Sequence, residues 1–450
     1  MDCFIGLDIG TSAVKGVVVA ENGVILSTAI GNFNYYEKDN EKRLAPKEFL
    51  NVCLEVIKEL VKNVENGNKI EAICSCCAAG NLVFLDNNYQ PLTDIIGWQT
   101  TIDEEIYKTL YNESERAEVY KIVGWPVLNG FPVAYLPYLK VKNPELLRNT
   151  KMLSMTAEYL NFTLTGKWAI SPSMGTPFYL MDQEKGLYNQ KMLSRLEINE
   201  KILPPIMKKG AVIGEVTFNI SKKIGLPIGT KVVLGGFDHP SAATGAGVYN
   251  EGEMLLSCGT SWVELFPING RNKAIRTGFL VDRYMLSGVD YCAMNSLTSI
   301  GEKIDNFRKH YLGDISHNQF DEFAKKSTKG CSGLNFDLFS NTYPNCENYS
   351  RSDIARAIIE AAAVKLKENL IIAEEKGLSS KKITMVGGIT NSDVCVKIIS
   401  ETIERHINVI NGEFAGAVGS AMIAAIGVSK FTDEKEAFSN MFKSEMLVKG

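Results

Sequence analysis

GLDIGTSAVKGVVV, residues 6–19, decides the fold. The apolar run FIGL (4–7) leads into Asp8-Ile9-Gly10-Thr11-Ser12, and a second apolar run, VKGVVVA, fills 14–20. Two short apolar runs split by Gly-Thr-Ser read as strands joined by a tight turn. VILSTAI (24–30) follows after Glu21-Asn22-Gly23, a hairpin turn. Farther out, PKEFLNVCLEVIKELVKNVE (46–65) reads as a helix with Pro46 in its first turn. Phe49, Leu50, Cys53, Leu54, Ile57, Leu60, Val61 and Val64 share one face at helical spacing. Gly67-Asn68 ends the helix and IEAICSC (70–76) resumes a strand. Hairpin, helix and strand in that order predict an α/β layer.

The pattern returns later. EMLLSCGTSWVELF (253–266) is strand, Gly259-Thr260-Ser261, strand. The same device at matching places in two halves predicts duplicated domains, 1–236 and 237–450. A chain of 450 residues is also too long for one ordinary core. The middle, about 100–210, reads as mixed and mostly helical, with Pro and Gly breaks near 124–132 and 171–177. KVVLGG (231–236) reads as a short strand running into Phe237-Asp238-His239-Pro240. RSDIARAIIEAAAVKLKENLIIAEEKG (351–377) is a long helix ended by Gly377. In KKITMVGGITNSDVCVKIISETIERH (381–406) a strand ends at Gly387-Gly388 and a helix starts, capped by Asn391 or Ser392. GEFAGAVGSAMIAAIG (412–427) is a helix whose small residues let another backbone come close.

Composition narrows the function classes. Apolar residues make up 45% and charged residues 22%, as in soluble globular proteins. The net charge of −4 gives no basic field, so nucleic acid is not an expected partner. No apolar run reaches the about 18 residues that span a bilayer. MDCFIGLDIG lacks the basic start and small-residue cleavage site of a signal peptide, so a cytoplasmic setting is expected. Cys74, Cys76 and Cys77 cluster in a predicted buried strand, and no second Cys pair or neighbouring His completes a zinc set.

Binding a nucleotide's phosphates takes backbone N–H donors and a metal ion. GxxxxGK[ST] is absent, so the chain is not a P-loop protein. Asp8-Ile9-Gly10-Thr11-Ser12 offers another solution. Gly10 permits close approach, Thr11 and Ser12 add hydroxyls, and Asp8 suits Mg²⁺. Gly259-Thr260-Ser261 repeats the donors without the acid. Either Gly-Thr-Ser alone is an ordinary turn; the pair, with GGITNS (387–392), points to a polyphosphate grip.

With these stretches, GLDIGTSAVKGVVV (6–19), VVLGGFDHPSAATGAG (232–247), LLSCGTSW (255–262), MVGGITNSDVCVKIISE (385–401) and EFAGAVGSAMIAA (413–425), the chain resembles the FGGY family of carbohydrate kinases, within the actin/hexokinase/Hsp70-like ATPase superfamily. LTGKWAISPSMGTPFYLMD (164–182) and Pro227-Ile228-Gly229-Thr230 add to the likeness. The resemblance implies two ribonuclease-H-like α/β domains with ATP and sugar in the cleft between them. It implies ATP and Mg²⁺ as cofactors and a small sugar or polyol as the partner molecule, a ketopentose such as xylulose first. It makes Asp8 the Mg²⁺ acid, Gly10, Thr11 and Ser12 the first phosphate loop, and Gly259, Thr260 and Ser261 the second. Gly387, Gly388 and Asn391 fall in the adenosine motif. Asp238 becomes the general base, close to the metal as well. A carboxylate in hydrogen-bond reach takes the hydroxyl's proton as the γ-phosphoryl transfers in line. A homodimer is compatible with the resemblance.

The sugar side departs from the family. Where many relatives carry Gly-Gln-Met-His-Gly, this chain has Cys77-Ala78-Ala79-Gly80-Asn81 before LVFLD (82–86). Trp-x-Asp-x-Arg appears as Trp98-Gln99-Thr100-Thr101-Ile102, so only Trp98 survives, to stack on a sugar face or to serve as core. Asn295-Ser296-Leu297 and GLNFDLFSN (333–341) also leave the family pattern. Ala79, Gly80 and Trp98 are therefore the expected substrate contacts, and a bulkier or less hydroxylated sugar is admitted. Three other readings compete with the kinase: a superfamily ATPase that drives conformational change, a cluster-bearing activator ATPase, and a degenerate kinase that senses sugar without phosphorylating it.

Overall fold

The computed structural model describes residues 1–442 apart from Asn66, Asn341 and Asn411. These residues form two units, each discontinuous in sequence. Of the described residues, the first comprises Met1–Gly247, Leu280–Tyr291 and 414–442; the second comprises Val248–Phe279 and Cys292–Glu413.

The first unit is built on a six-stranded sheet in the order Val212–Glu215, Lys231–Val233, Lys69–Cys77, Asp2–Ile9, Ala13–Ala20, Ile25–Asn32. Asp2–Ile9 runs antiparallel to Ala13–Ala20 and parallel to Lys69–Cys77. In the second unit, five strands of a six-stranded sheet follow the order Ile407–Val409, Lys382–Gly387, Glu253–Cys258, Trp262–Ile268, Tyr291–Leu297. Glu253–Cys258 again runs antiparallel to the next strand and parallel to the strand beyond a helix. The duplication read from the two Gly-Thr-Ser turns thus extends to the order of five strands in each sheet.

Local signals account for most boundaries. Pro46 opens the helix Pro46–Lys62, whose inner face carries Phe49, Cys53, Leu54, Ile57 and Leu60. That helix ends three residues before the expected Glu65, at an Asn63 cap. Gly23, at φ +84°, turns the hairpin between the second and third strands. Ser350 caps the helix Arg351–Glu375 by accepting the Asp353 amide. The strand expected over 231–236 covers only Lys231–Val233. Residues 100–200 of the first unit are mostly short helices, from Glu104–Leu110 to Gln190–Leu196. Within this unit a second, five-stranded sheet, Tyr36–Lys38, Glu41–Leu44, Ile95–Ile96, Leu82–Leu85 and Met152–Met155, carries the segments around 77–81 and 98.

The helix Ala415–Gly427 is the keystone of the first unit. It lies against the strand Asp2–Ile9 and the helix Asp238–Gly245 with no room for side chains between the backbones. A Cβ on Gly6 would collide with the Ala417 carbonyl, one on Gly245 with the Ala415 carbonyl, and one on Gly419 with the Ser241 carbonyl. Close packing of this kind tolerates no added methyl group, because the obstructing atoms are backbone and cannot turn aside. Gly419→Ala is expected to destabilise the protein by about 1–3 kcal/mol or more despite its better helix propensity. Thermal or denaturant unfolding measures this, and an unchanged midpoint contradicts the packing argument.

Candidate active site

Asp8 sits near the end of the first strand, opposite Cys76 of the parallel neighbour. The Cys76 thiol approaches Asp8 Oδ1 at 3.6 Å and the Gly416 carbonyl at 3.5 Å. Burial, with the nearby charge of Asp238 second, pushes the Asp8 carboxyl up to about 7. Beyond it the Gly10 N–H is taken by the Ala13 carbonyl at 2.9 Å, which closes the turn. The amides of Thr11 and Ser12 donate to no acceptor among the described residues, so they are available to an anion.

Trp98 serves this loop. Its indole Nε1–H donates to Thr11 Oγ1 at 3.0 Å, and its ring stands 5.8 Å from that of Phe131. Its backbone N–H is held by Asn81 Oδ1 at 3.0 Å, and Asn81 is buried. Ala79 and Gly80 are buried beside it. Gly80 has φ +90°, and a Cβ there would stand 2.8 Å from Trp98 Cβ. The indole is neither free for stacking alone nor plain core; it ties the 77–81 segment to the first Gly-Thr-Ser turn.

Asp238 does not end a strand. The strand stops at Val233, Phe237 makes one isolated parallel bridge to Cys77, and Asp238 is the first residue of the helix Asp238–Gly245. There the positive end of the helix favours a carboxylate. Its Oδ1 accepts the His239 N–H at 2.7 Å, and its side chain is 21% exposed. Burial raises its pKa above the usual carboxylate value, and the His239 side chain and amide oppose this. Cys74, Cys76 and Cys77 are buried in the strand Lys69–Cys77.

The second unit builds a pocket of about 450 Å³ from both ends of its sequence. Cys258, Gly259 and Trp262 come from the hairpin, and Gly388, Ile389, Asn391 and Ser392 from the GGITNS segment. Gly301 N–H donates to the Thr260 carbonyl and Ser299 N–H to Ser261 Oγ, both at 2.9 Å. The amides of Thr260 and Ser261 donate to no acceptor among the described residues. Gly387, at φ +107°, is required because a side chain would strike the Cys258 carbonyl. Gly388 has nothing within 4 Å of a Cβ position, which leaves its face open to a ligand. Asn391 lies in a short 3-10 turn, and the helix Asp393–Ile403 is capped by Ser392, which accepts the Cys395 amide at 3.0 Å. The sequence reading did not single out Asp305, Arg308, His317, Asn318 and Asp321, which also line the pocket. They come from two helices, Ile300–Leu312 and His317–Ala324, that carry no loop motif.

The donor chemistry fits Mg²⁺. The charge of Asp238 adds to the cost of ionising the buried Asp8, which a cation relieves. No group of three or more His, Cys, Asp or Glu among the described residues forms a metal cage. Mg²⁺ is commonly held by one or two carboxylates, with water and phosphate completing its shell. No helix among the described residues is long and apolar enough to cross a membrane.

The sequence matches the N-terminal domain of the FGGY family of carbohydrate kinases over residues 3–245 and its C-terminal domain over 328–428. The chain belongs to this family. FGGY kinases are ATP-dependent phosphotransferases with an alcohol group of a small carbohydrate as acceptor, and this chain is one. Its relatives include the xylulose kinase of Bacillus subtilis, 25% identical over 97% of this chain and 90% of that protein. The L-xylulose/3-keto-L-gulonate kinase of Escherichia coli is 25% identical over 87% of this chain and 81% of the other. Among solved structures, xylulose kinase from Rhodospirillum rubrum superposes with a TM-score of 0.86 at 20% identity, covering 97% and 92% of the two chains. Plasmodium falciparum glycerol kinase with ADP gives 0.86 at 19% identity, over 98% and 92%. The FGGY fold, two actin-like ATPase domains, agrees with the repeated sheet order.

Trp98→Phe keeps the ring and removes the indole N–H. With the Thr11 hydroxyl no longer fixed, the KM for ATP is expected to rise about threefold to tenfold, the scale of one hydrogen bond, while the sugar KM stays within twofold. Steady-state kinetics in both substrates checks this; a change confined to the sugar KM contradicts it.

Proposed function

We propose that this FGGY kinase phosphorylates a ketopentose of the xylulose type, with Asp238 as general base. The reading is supported first by the position of Asp238: a mostly buried carboxylate on the first turn of a helix, close enough to Asp8 for its charge to act on it. Relatives bearing xylulose kinase as their name, aligned over nearly the whole chain, support the substrate class. In this reading the second-unit pocket holds adenosine, with Gly387, Gly388 and Asn391 beside it, and Gly259, Thr260 and Ser261 hold phosphate. Gly10, Thr11 and Ser12 are the first unit's phosphate-binding residues in this reading. Asp8, with Asp238, would hold Mg²⁺, which when bound would neutralise charge on the phosphate oxygens.

What the chain's own residues do follows from their chemistry. A sugar hydroxyl is a weak nucleophile while it keeps its proton. Asp238 accepts that proton as the oxygen attacks the γ-phosphorus, a contribution typically of about 10²- to 10⁴-fold. The raised pKa of Asp238 makes it a stronger base than a surface carboxylate. Ala79, Gly80 and Trp98 flank the acceptor in this reading; residues 78–80 are short where many relatives carry longer polar ones, and Trp98 and Phe131 close over Gly80.

Asp238→Asn is expected to keep ATP binding within about threefold and to lower sugar phosphorylation by at least about 10²-fold. ADP release with and without xylulose, alongside calorimetric ATP binding, measures both. Wild-type turnover in this variant removes Asp238 from the base role.

A further inference from the structure

Behind Asp238 lies a buried carboxylate that proton abstraction leaves unused. Asp282 has no exposed surface. It belongs to the segment Leu280–Tyr291, which packs into the first unit although the chain on either side belongs to the second. Its Oδ1 accepts the Arg283 N–H at 2.7 Å, and its Oδ2 accepts the Ser173 hydroxyl at 2.9 Å. Ser173 is 2% exposed and falls in the 164–182 stretch, which has no part in the chemistry described above.

The hydroxyl proton of Ser173 points to Asp282, so its oxygen is left as an acceptor. That oxygen accepts the N–H of Phe237 at 3.1 Å. The carbonyl of Phe237 is held in turn by Ser241, whose Oγ–H donates at 2.9 Å and whose N–H donates at 3.2 Å. Phe237 therefore has both backbone polar groups engaged, and the next residue is Asp238. Gly236 lets Ser173 come beneath this turn, since a Cβ there would stand 3.1 Å from Ser173 Oγ.

A carboxylate buried this fully is costly unless its hydrogen bonds are made, and burial pushes that of Asp282 up to about 7. A serine hydroxyl without such a partner turns freely between staggered positions and can present its proton, instead of its lone pair, to Phe237. Asp282 removes that choice.

We propose that Asp282 and Ser173 form a positioning couple that fixes the Phe237 peptide and so aims Asp238 at the acceptor hydroxyl. Neither residue touches the substrate. The inference rests on Asp238 as the base. Its expected weight is large, because a misplacement of about 1 Å at a reacting group costs about 10²-fold in rate.

The test uses the full chain with ATP and xylulose, or whichever ketose or polyol the wild type turns over fastest. Ser173→Ala, Asp282→Asn, their double variant and Asp238→Asn are compared for kcat, for both KM values and for thermal midpoint. Ser173→Ala is expected to lower kcat by at least tenfold while both KM values stay within twofold. Asp282→Asn is expected to lower kcat less, since an amide still engages Ser173. The double variant is expected to match Ser173→Ala, because an absent hydroxyl cannot be oriented. A Ser173→Ala kcat within twofold of wild type overturns the proposal, as do losses that multiply in the double variant or that appear in KM. If Ser173→Ala does not fold, an unchanged kcat in Asp282→Asn overturns it instead. Turnover retained in Asp238→Asn overturns the base assignment and this inference together; an inactive Asp238→Asn with a normal Ser173→Ala overturns this inference alone.

Discussion

The first unit depends on a contact between backbones. The helix Ala415–Gly427 touches the strand that carries Asp8 and the helix that begins with Asp238, and it does so through glycine and alanine positions. Two acids from distant parts of the sequence are thereby fixed against one surface. The cost of burying these acids is visible in the raised pKa of both, and at Asp8 the charge of Asp238 adds to it. Such a cost is typical of sites shaped for chemistry more than for stability. It also gives a reason for a cation and for a phosphate substrate whose metal ion shares the charge.

Much of this was legible in the sequence because it is written in local patterns. The strand–Gly-Thr-Ser–strand device appears twice, and both copies fold as hairpins whose parent strand has a parallel neighbour beyond a helix. The small residues of 415–427 announced a close approach, and the backbone contacts with Gly6 and Gly245 are its realisation. Ser392 was one of two cap candidates, and the choice between it and Asn391 turned on one hydrogen bond to Cys395.

Other features had no local signature. Asp238 reads as a strand end because Val232, Val233 and Leu234 are apolar, yet the strand stops at Val233, Phe237 pairs again only in a single bridge to Cys77, and the helix starts at Asp238, five residues after Val233. The polar residues Arg308 and His317 of the second-unit pocket stand on helices whose own pattern is ordinary. Nothing in composition groups 280–291 with the first unit, so the link from Asp282 to Ser173 was invisible. Trp98 was recognisable as the surviving part of a sugar motif, but its bond to Thr11 spans 87 residues of sequence. Local propensity specifies elements; contacts at such separations are decided by packing.

Gly416 offers the sharpest probe of the governing contact. A Cβ at this position would lie 2.5 Å from Asp8 Oδ2, so Gly416→Ala pushes directly on the first acid. The measurement is kcat for sugar phosphorylation by this variant, taken well below its unfolding midpoint, together with its affinity for ADP. If the backbone contact sets the position of Asp8 for phosphoryl transfer, turnover falls by at least about tenfold, as small misplacements at a reacting centre do, and ADP affinity changes little. Wild-type turnover in Gly416→Ala contradicts the account.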